Sequence, residues 1–156
     1  MNFDKEKLFT FLRKEILEYY RSMYALKKTN MKIHRRGRGV ALPNYINGLL
    51  FSFARTENLF PMPEYMPFDD SNQRIDMLWT NRDGIQIAAF EIDQTIYPKS
   101  ISKLLRLPAT CRKFIISAGS GKYPLPDILL QNMDIEHLDI TQTTLGVAKH
   151  FDNDTF

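Results

Sequence analysis

The sequence predicts an α/β fold, a mixed sheet flanked by helices with an extra helix at the N-terminus. Three observations carry that expectation. Residues 74–80 and 85–93 are apolar runs rich in Ile, Leu, Phe and Ala, and Asn81-Arg82-Asp83-Gly84 between them supplies an Asp-Gly hairpin signal. Upstream, residues 4–27 and 41–57 repeat apolar side chains at helical spacing. Downstream, residues 100–107 read as a short helix and 112–118 as a strand, the crossover that returns a chain to a parallel neighbour.

In chain order, residues 4–27 place Leu8, Phe11, Leu12, Ile16, Tyr19, Tyr20 and Met23 three and four apart, and Asp4 suits an N-cap or a first-turn acid. Phe9, Phe11, Tyr19, Tyr20 and Tyr24 could form a base-stacking or dimer face, but core packing is the commoner use and is expected here. Residues 27–39 are the most basic stretch. Residues 1–40 hold eleven Lys and Arg against four acids, and residues 41–156 ten against fourteen, so the net +3 conceals +7 and −4. A flexible basic arm containing Gly37 and Gly39 can follow a phosphate backbone and release counterions, which makes Lys32, Arg35, Arg36 and Arg38 candidate nucleic-acid contacts. A solvated loop, or one pairing with acids of a partner, is the plainer alternative.

A helix is expected over 41–57, starting at Pro43, with Tyr45, Ile46, Leu49, Leu50, Phe53 and Ala54 on one side and Glu57 in an exposed last turn. Three prolines make residues 60–70 irregular or a short edge strand, with Asp69 and Asp70 as turn residues. Beyond the hairpin, residues 95–98 connect to the helix at 100–107, which Pro108 ends. Gly119-Ser120-Gly121-Lys122 lacks the spacing of a nucleotide-binding loop and reads as a connection. A helix over 125–133, a last strand over 135–141, a short helix over 143–150 and a frayed acidic tail complete the chain.

With 156 residues and 44% hydrophobic content, one compact domain is expected: an N-terminal helix and basic arm over 1–40, a core over 41–118 and an extension over 119–156. The charged N-terminus and the lack of 18 consecutive apolar residues argue against a signal peptide or membrane span, so a cytoplasmic location is expected. The single cysteine, Cys111, excludes an internal disulfide and reads as packing; with three scattered histidines it gives no zinc spacing.

The hairpin gathers acids. If Asp83 and Gly84 are the two turn residues, Arg82 pairs with Ile85 and Asp76 lies opposite Glu91. A four-residue loop over 81–84 sets Asp76 against Ala89 instead and leaves Glu91 diagonal to it. Alternation adds Asp93 to the same face and turns Ile75, Met77, Trp79, Phe90 and Ile92 to the other. Two carboxylates about 5 Å apart repel by roughly 1–3 kcal/mol unless a proton or cation intervenes. A hard divalent cation, Mg2+ or alternatively Mn2+, would offset this; ordinary solvated acids at strand ends are the competing explanation.

Arg74-Ile75-Asp76-Met77-Leu78-Trp79, then Ala89-Phe90-Glu91-Ile92-Asp93, then the helix 100–107, together resemble the core of the PD-(D/E)XK nuclease superfamily in its restriction-endonuclease-like branch, over about residues 41–118. The resemblance implies an αβββαβ core and a metal-dependent DNA endonuclease that hydrolyses phosphodiester bonds. It implies Asp76, Glu91 and the Ile92 carbonyl as metal ligands and puts Asp93 where the family pattern has a lysine. Lys103 or Lys99 on the following helix is the candidate to replace that lysine, Lys99 reading better as solvated. Arg106 is a candidate phosphate contact, with an ion pair to a core acid as its alternative. The implied partner is DNA, double-stranded by expectation, and cutting both strands would suit a homodimer. An inactive nuclease-fold DNA-binding or assembly subunit is the alternative function, and a protein-interaction module docking on acidic partners is the third.

Overall fold

The computed structural model describes residues 3–28, 35–93, 96–117 and 133–140. Helix α1 (Lys5–Lys28) begins where the sequence predicts, because Asp4 Oδ1 accepts the amides of Glu6 (2.9 Å) and Lys7 (3.2 Å). Phe3 and Leu8, which flank this cap, join one buried cluster, so the chain enters the helix pinned on both sides.

Helix α2 (Arg35–Thr56) corrects the expected start at Pro43: the helix runs back to Arg35 and Pro43 lies inside it. The stretch expected as a flexible arm is therefore helical from Arg35 onward. Pro43 has no N–H to give the Gly39 carbonyl, at a cost of about 3 kcal/mol, and Gly37 and Gly39 each add roughly 0.5–1 kcal/mol. Burial overrides propensity here. Leu42 and Ile46 bracket the proline and continue through Leu49, Leu50, Phe53 and Ala54 into the same core. Glu57, beyond the helix, pairs with Lys7 of α1.

Five strands follow: β1 (Phe60–Tyr65), β2 (Ile75–Thr80), β3 (Gln86–Asp93), then helix α3 (Pro98–Leu105), β4 (Arg112–Ser117) and β5 (Ile135–Asp139). They form one sheet in the order β1-β2-β3-β4-β5. The first three strands are antiparallel neighbours, while β4 lies parallel to β3 and β5 parallel to β4. Helix, three strands, helix and strand, from α2 to β4, is the αβββαβ order expected of a restriction-endonuclease-like core. Pro61 and Pro63 sit in β1 at the sheet edge, where a missing donor is tolerated.

The hairpin reaches the expected register by a different turn. The Gly84 amide bonds the Asn81 carbonyl (3.1 Å), Gly84 takes φ +77°, and the Asn81 amide bonds the Ile85 carbonyl (3.0 Å), a three-residue connection with glycine in the left-handed position. The Asn81 side chain accepts the amides of Asp83 and Ile85, both at 2.9 Å. Thr80 therefore pairs with Gln86, one residue off the predicted register, and a bulge before Trp79↔Ala88 restores it. From there Met77 pairs with Phe90, so the next step outward sets Asp76 opposite Glu91.

Two cores cover the faces of the sheet. Helices α1 and α2 bury Met77, Trp79, Ala88, Phe90, Ile92, Phe114 and Ile116. Helix α3 covers Leu78, Ala89, Ile115 and Ile135 with Ile101 and Leu104. Ile75 departs from its expected face and packs on the α3 side, at the first residue of β2, before alternation is established. Cys111 is buried in that second core, and burial pushes its thiol up to about 11, as suits a packing residue.

Candidate active site

Strand alternation brings Asp76, Glu91 and Asp93 to the face covered by α3, at the end where β2 begins and β3 finishes. The acids interlock through the backbone of the opposite strand. Asp76 Oδ2 accepts the Ile92 amide at 2.7 Å, and Glu91 Oε1 accepts the Asp76 amide at 3.4 Å. Glu91 is only 1% exposed, an unusual position for a carboxylate without a counter-charge.

The counter-charge comes from α3. Lys103, itself buried, places Nζ 2.5 Å from Glu91 Oε2 and 2.8 Å from the Arg74 carbonyl. A lysine thus reaches the acids from the helix, as the sequence suggests, while Lys99 is exposed. One ammonium faces three carboxylates. Burial, then Asp76, pushes Glu91 up to about 7 against the opposing pull of Lys103. Burial also raises Asp76 and Asp93 from their ordinary values.

Asp93 has a further engagement that the sequence does not reveal. Its Oδ2 accepts the Tyr97 amide at 3.4 Å and the Ser100 side chain also bonds it, so it ties the first turn of α3 to the end of β3. Tyr97 is the N-cap residue of α3 and its side chain caps no amide of the first turn, while its own amide is taken by Asp93. Among the described residues, no three His, Cys, Asp or Glu side chains converge as a ready-made metal site. The close pair is Asp76 and Glu91, with Asp93 turned toward α3. Ile92 is held at this point by its amide.

Arg106 forms an ion pair, though with the exposed Asp70 and not with a core acid. Its guanidinium bonds Asp70, Ser71 (3.1 Å) and Gln73 (3.1 Å) and stacks over Phe68 at 3.9 Å, so it clamps the 68–73 segment that leads into β2. Lys32 and the side chains of Arg35, Arg36 and Arg38 lie outside the described residues. Two residues that sequence reasoning missed stand beside the acids in the sheet. Ser117 pairs with Asp93 in the β3–β4 register, is fully buried, and its Oγ bonds His137 Nε2 of β5. Nothing local in 112–117 or 135–139 signals this contact, because it exists only once the two strands are aligned.

No family model and no curated protein matches the chain. Among solved structures it is similar to a repair endonuclease from Pyrococcus abyssi, at 14% identity and a TM-score of 0.43, over 60% of this chain and 44% of that one. The chain therefore spans less than half the length of that protein. No helix among the described residues is long and apolar enough to cross a membrane.

Proposed function

We propose that the protein is a metal-dependent DNA endonuclease whose centre is the Asp76–Glu91 pair. The observation that carries this reading is the approach of two interior carboxylates across the β2–β3 ladder, an arrangement that costs stability and has no packing advantage. The donor set fits Mg2+, with Mn2+ as a substitute: hard oxygen ligands and one lysine against three acids leave excess negative charge for a divalent cation. Asp76 and Glu91 would hold the ion. When bound, such an ion polarises a phosphodiester and acidifies a coordinated water.

The chain's own groups supply the rest. Lys103 is held beside Glu91 by that carboxylate and the Arg74 carbonyl, so its charge would stabilise negative charge developing on a phosphate bound at the pair, a task Asp93 cannot perform from the lysine position. Asp93 can take a proton, and its tie to Tyr97 and Ser100 fixes it beside the pair. Lys32, Arg35, Arg36 and Arg38 would hold the DNA backbone through charge. The test is nicking of supercoiled plasmid with Mg2+ or Mn2+. Activity should vanish in EDTA and in Asp76→Ala and Glu91→Ala, and activity that persists in both variants overturns the proposal.

One observation favours the second reading, a nuclease-fold DNA-binding subunit without cleavage: a Glu91 oxygen is already bonded to Lys103. DNA binding unaffected by those two substitutions, with no nicking in either metal, would select it.

A further inference from the structure

Tyr97 is 48% exposed although its neighbour Ile96 is fully buried, and its main chain is firmly held. Its amide bonds Asp93 Oδ2 at 3.4 Å, its carbonyl accepts the amides of Ser100 (3.0 Å) and Ile101 (3.3 Å), and Pro98 fixes the next residue. An aromatic side chain is thus carried into solvent from a backbone fastened to the acid cluster. Single exposed apolar residues are ordinary on a protein surface. This one is distinguished by its attachment to a carboxylate of the candidate site and by Lys99, a second exposed side chain two residues on, suited to an adjoining phosphate.

From these placements we propose that Tyr97 stacks on an unpaired nucleobase flanking the phosphodiester at Asp76 and Glu91, which makes single-stranded DNA the substrate class. The inference rests on the nuclease reading of this site and deepens it. In a duplex, base faces are covered by their neighbours, and a ring beside the sugar-phosphate backbone meets no free π-surface unless the base leaves the stack. In a single strand the base next to the scissile phosphate is free to turn onto the ring. The proposal thus differs from the double-stranded DNA expected from the sequence, and the test below compares the two forms. Because the Tyr97 backbone is already ordered, stacking loses little further conformational freedom.

The test uses the full chain, Ca2+ in place of Mg2+ to limit cleavage, and an oligonucleotide carrying 2-aminopurine, in single-stranded and duplex form. Wild type and Tyr97→Phe should quench the single-stranded probe alike. Tyr97→Leu should abolish the quench and weaken binding about tenfold, the lower part of the range for losing one stacked base. Equal quenching by Tyr97→Leu, or no binding of the single strand, overturns the proposal. A parallel Mg2+ cleavage assay separates it from the reading beneath it. If Asp76-dependent cleavage is faster on duplex and indifferent to Tyr97, stacking fails and the nuclease stands. If neither form is cut but the quench still requires an aromatic residue at 97, the nuclease fails and the stacking contact stands.

Discussion

Lys103 and Glu91 form an ion pair, 2.5 Å between Nζ and Oε2, in which both side chains are almost wholly removed from solvent. The pair links α3 to β3 and supplies the one cation bonded to the acids among the described residues. Replacing Lys103 by Met keeps the stem volume and removes the charge. Breaking a buried pair costs about 3–5 kcal/mol when the remaining charge cannot escape, but Glu91 can take up a proton, so a loss of about 1–3 kcal/mol is expected. Urea unfolding in EDTA should show a larger loss at about pH 8 than at about pH 5. An equal loss at both would mean that Lys103 contributes packing alone.

Glu91 keeps its proton to about pH 7 in the fold, whereas an ordinary glutamate releases it near 4.5. Between those values the folded chain binds more protons than the unfolded one. The stability from this group is therefore complete below about 4.5 and is lost as pH rises through about 7. Asp76 and Asp93 shift in the same direction. Glu136 behaves oppositely: burial pushes it up, but hydrogen bonds from Lys5 and Arg112 outweigh this and hold it below its usual value, so its contribution is lost only in acid. The melting temperature in EDTA should fall between about pH 5 and about pH 8. Millimolar Mg2+ should restore more of it at the higher pH, where no proton competes for the carboxylates. A melting temperature that climbs across this window would contradict the description of the acids as mutually repelling.

What the sequence makes legible here is what period and local chemistry encode. Alternation alone puts Asp76, Glu91 and Asp93 on one face, and the short helix after β3 is enough to nominate Lys103. The turn is less legible, because Asp-Gly signals a hairpin without revealing that the Asn81 side chain recruits the loop into a three-residue connection, or that a bulge then corrects the register. Pro43, Gly37 and Gly39 read locally as helix breakers, and only the cores contributed by α1 and the sheet show why α2 continues through them. The grip of Asp93 on α3 and the Ser117–His137 contact depend on elements that meet only in three dimensions.

Asp76→Asn separates stability from function at one atom. The amide oxygen can still accept the Ile92 N–H, so the strand crossing is preserved, while repulsion with Glu91 disappears. A gain of about 1 kcal/mol in metal-free stability is expected, with loss of Mg2+ binding by at least about tenfold. Thermal melts in EDTA and calorimetric titration with Mg2+ measure the two halves. A destabilised variant that binds Mg2+ as wild type does would refute both.

Gly84 holds a positive φ of +77° in the turn, yet a Cβ placed there would meet nothing within 4 Å. Gly84→Ala therefore tests backbone strain without steric overlap and should cost about 1–2 kcal/mol in urea unfolding. Because the bulge between Thr80 and Trp79 resets the register closer to the acids, Mg2+ affinity should remain within about twofold of wild type. A large fall in affinity would show that the turn, not the bulge, sets the facing of Asp76 and Glu91.

The basic segment admits a measurement that does not depend on cleavage. Each phosphate neutralised on a single strand contributes about 0.7 to the slope of log K against log salt, so replacing Arg35, Arg36 and Arg38 together by Ala should reduce that slope by about two. Binding should weaken most at low salt and similarly for unrelated sequences, since phosphate contacts carry no base information. Tyr97→Leu should leave the salt slope in place while lowering affinity at every salt concentration, because stacking releases no counterions. Fluorescence anisotropy over a salt series with both variants distinguishes the two contributions. A triple variant with the wild-type slope would remove the N-terminal arginines from the DNA interface and leave the phosphate contacts to residues nearer the acids.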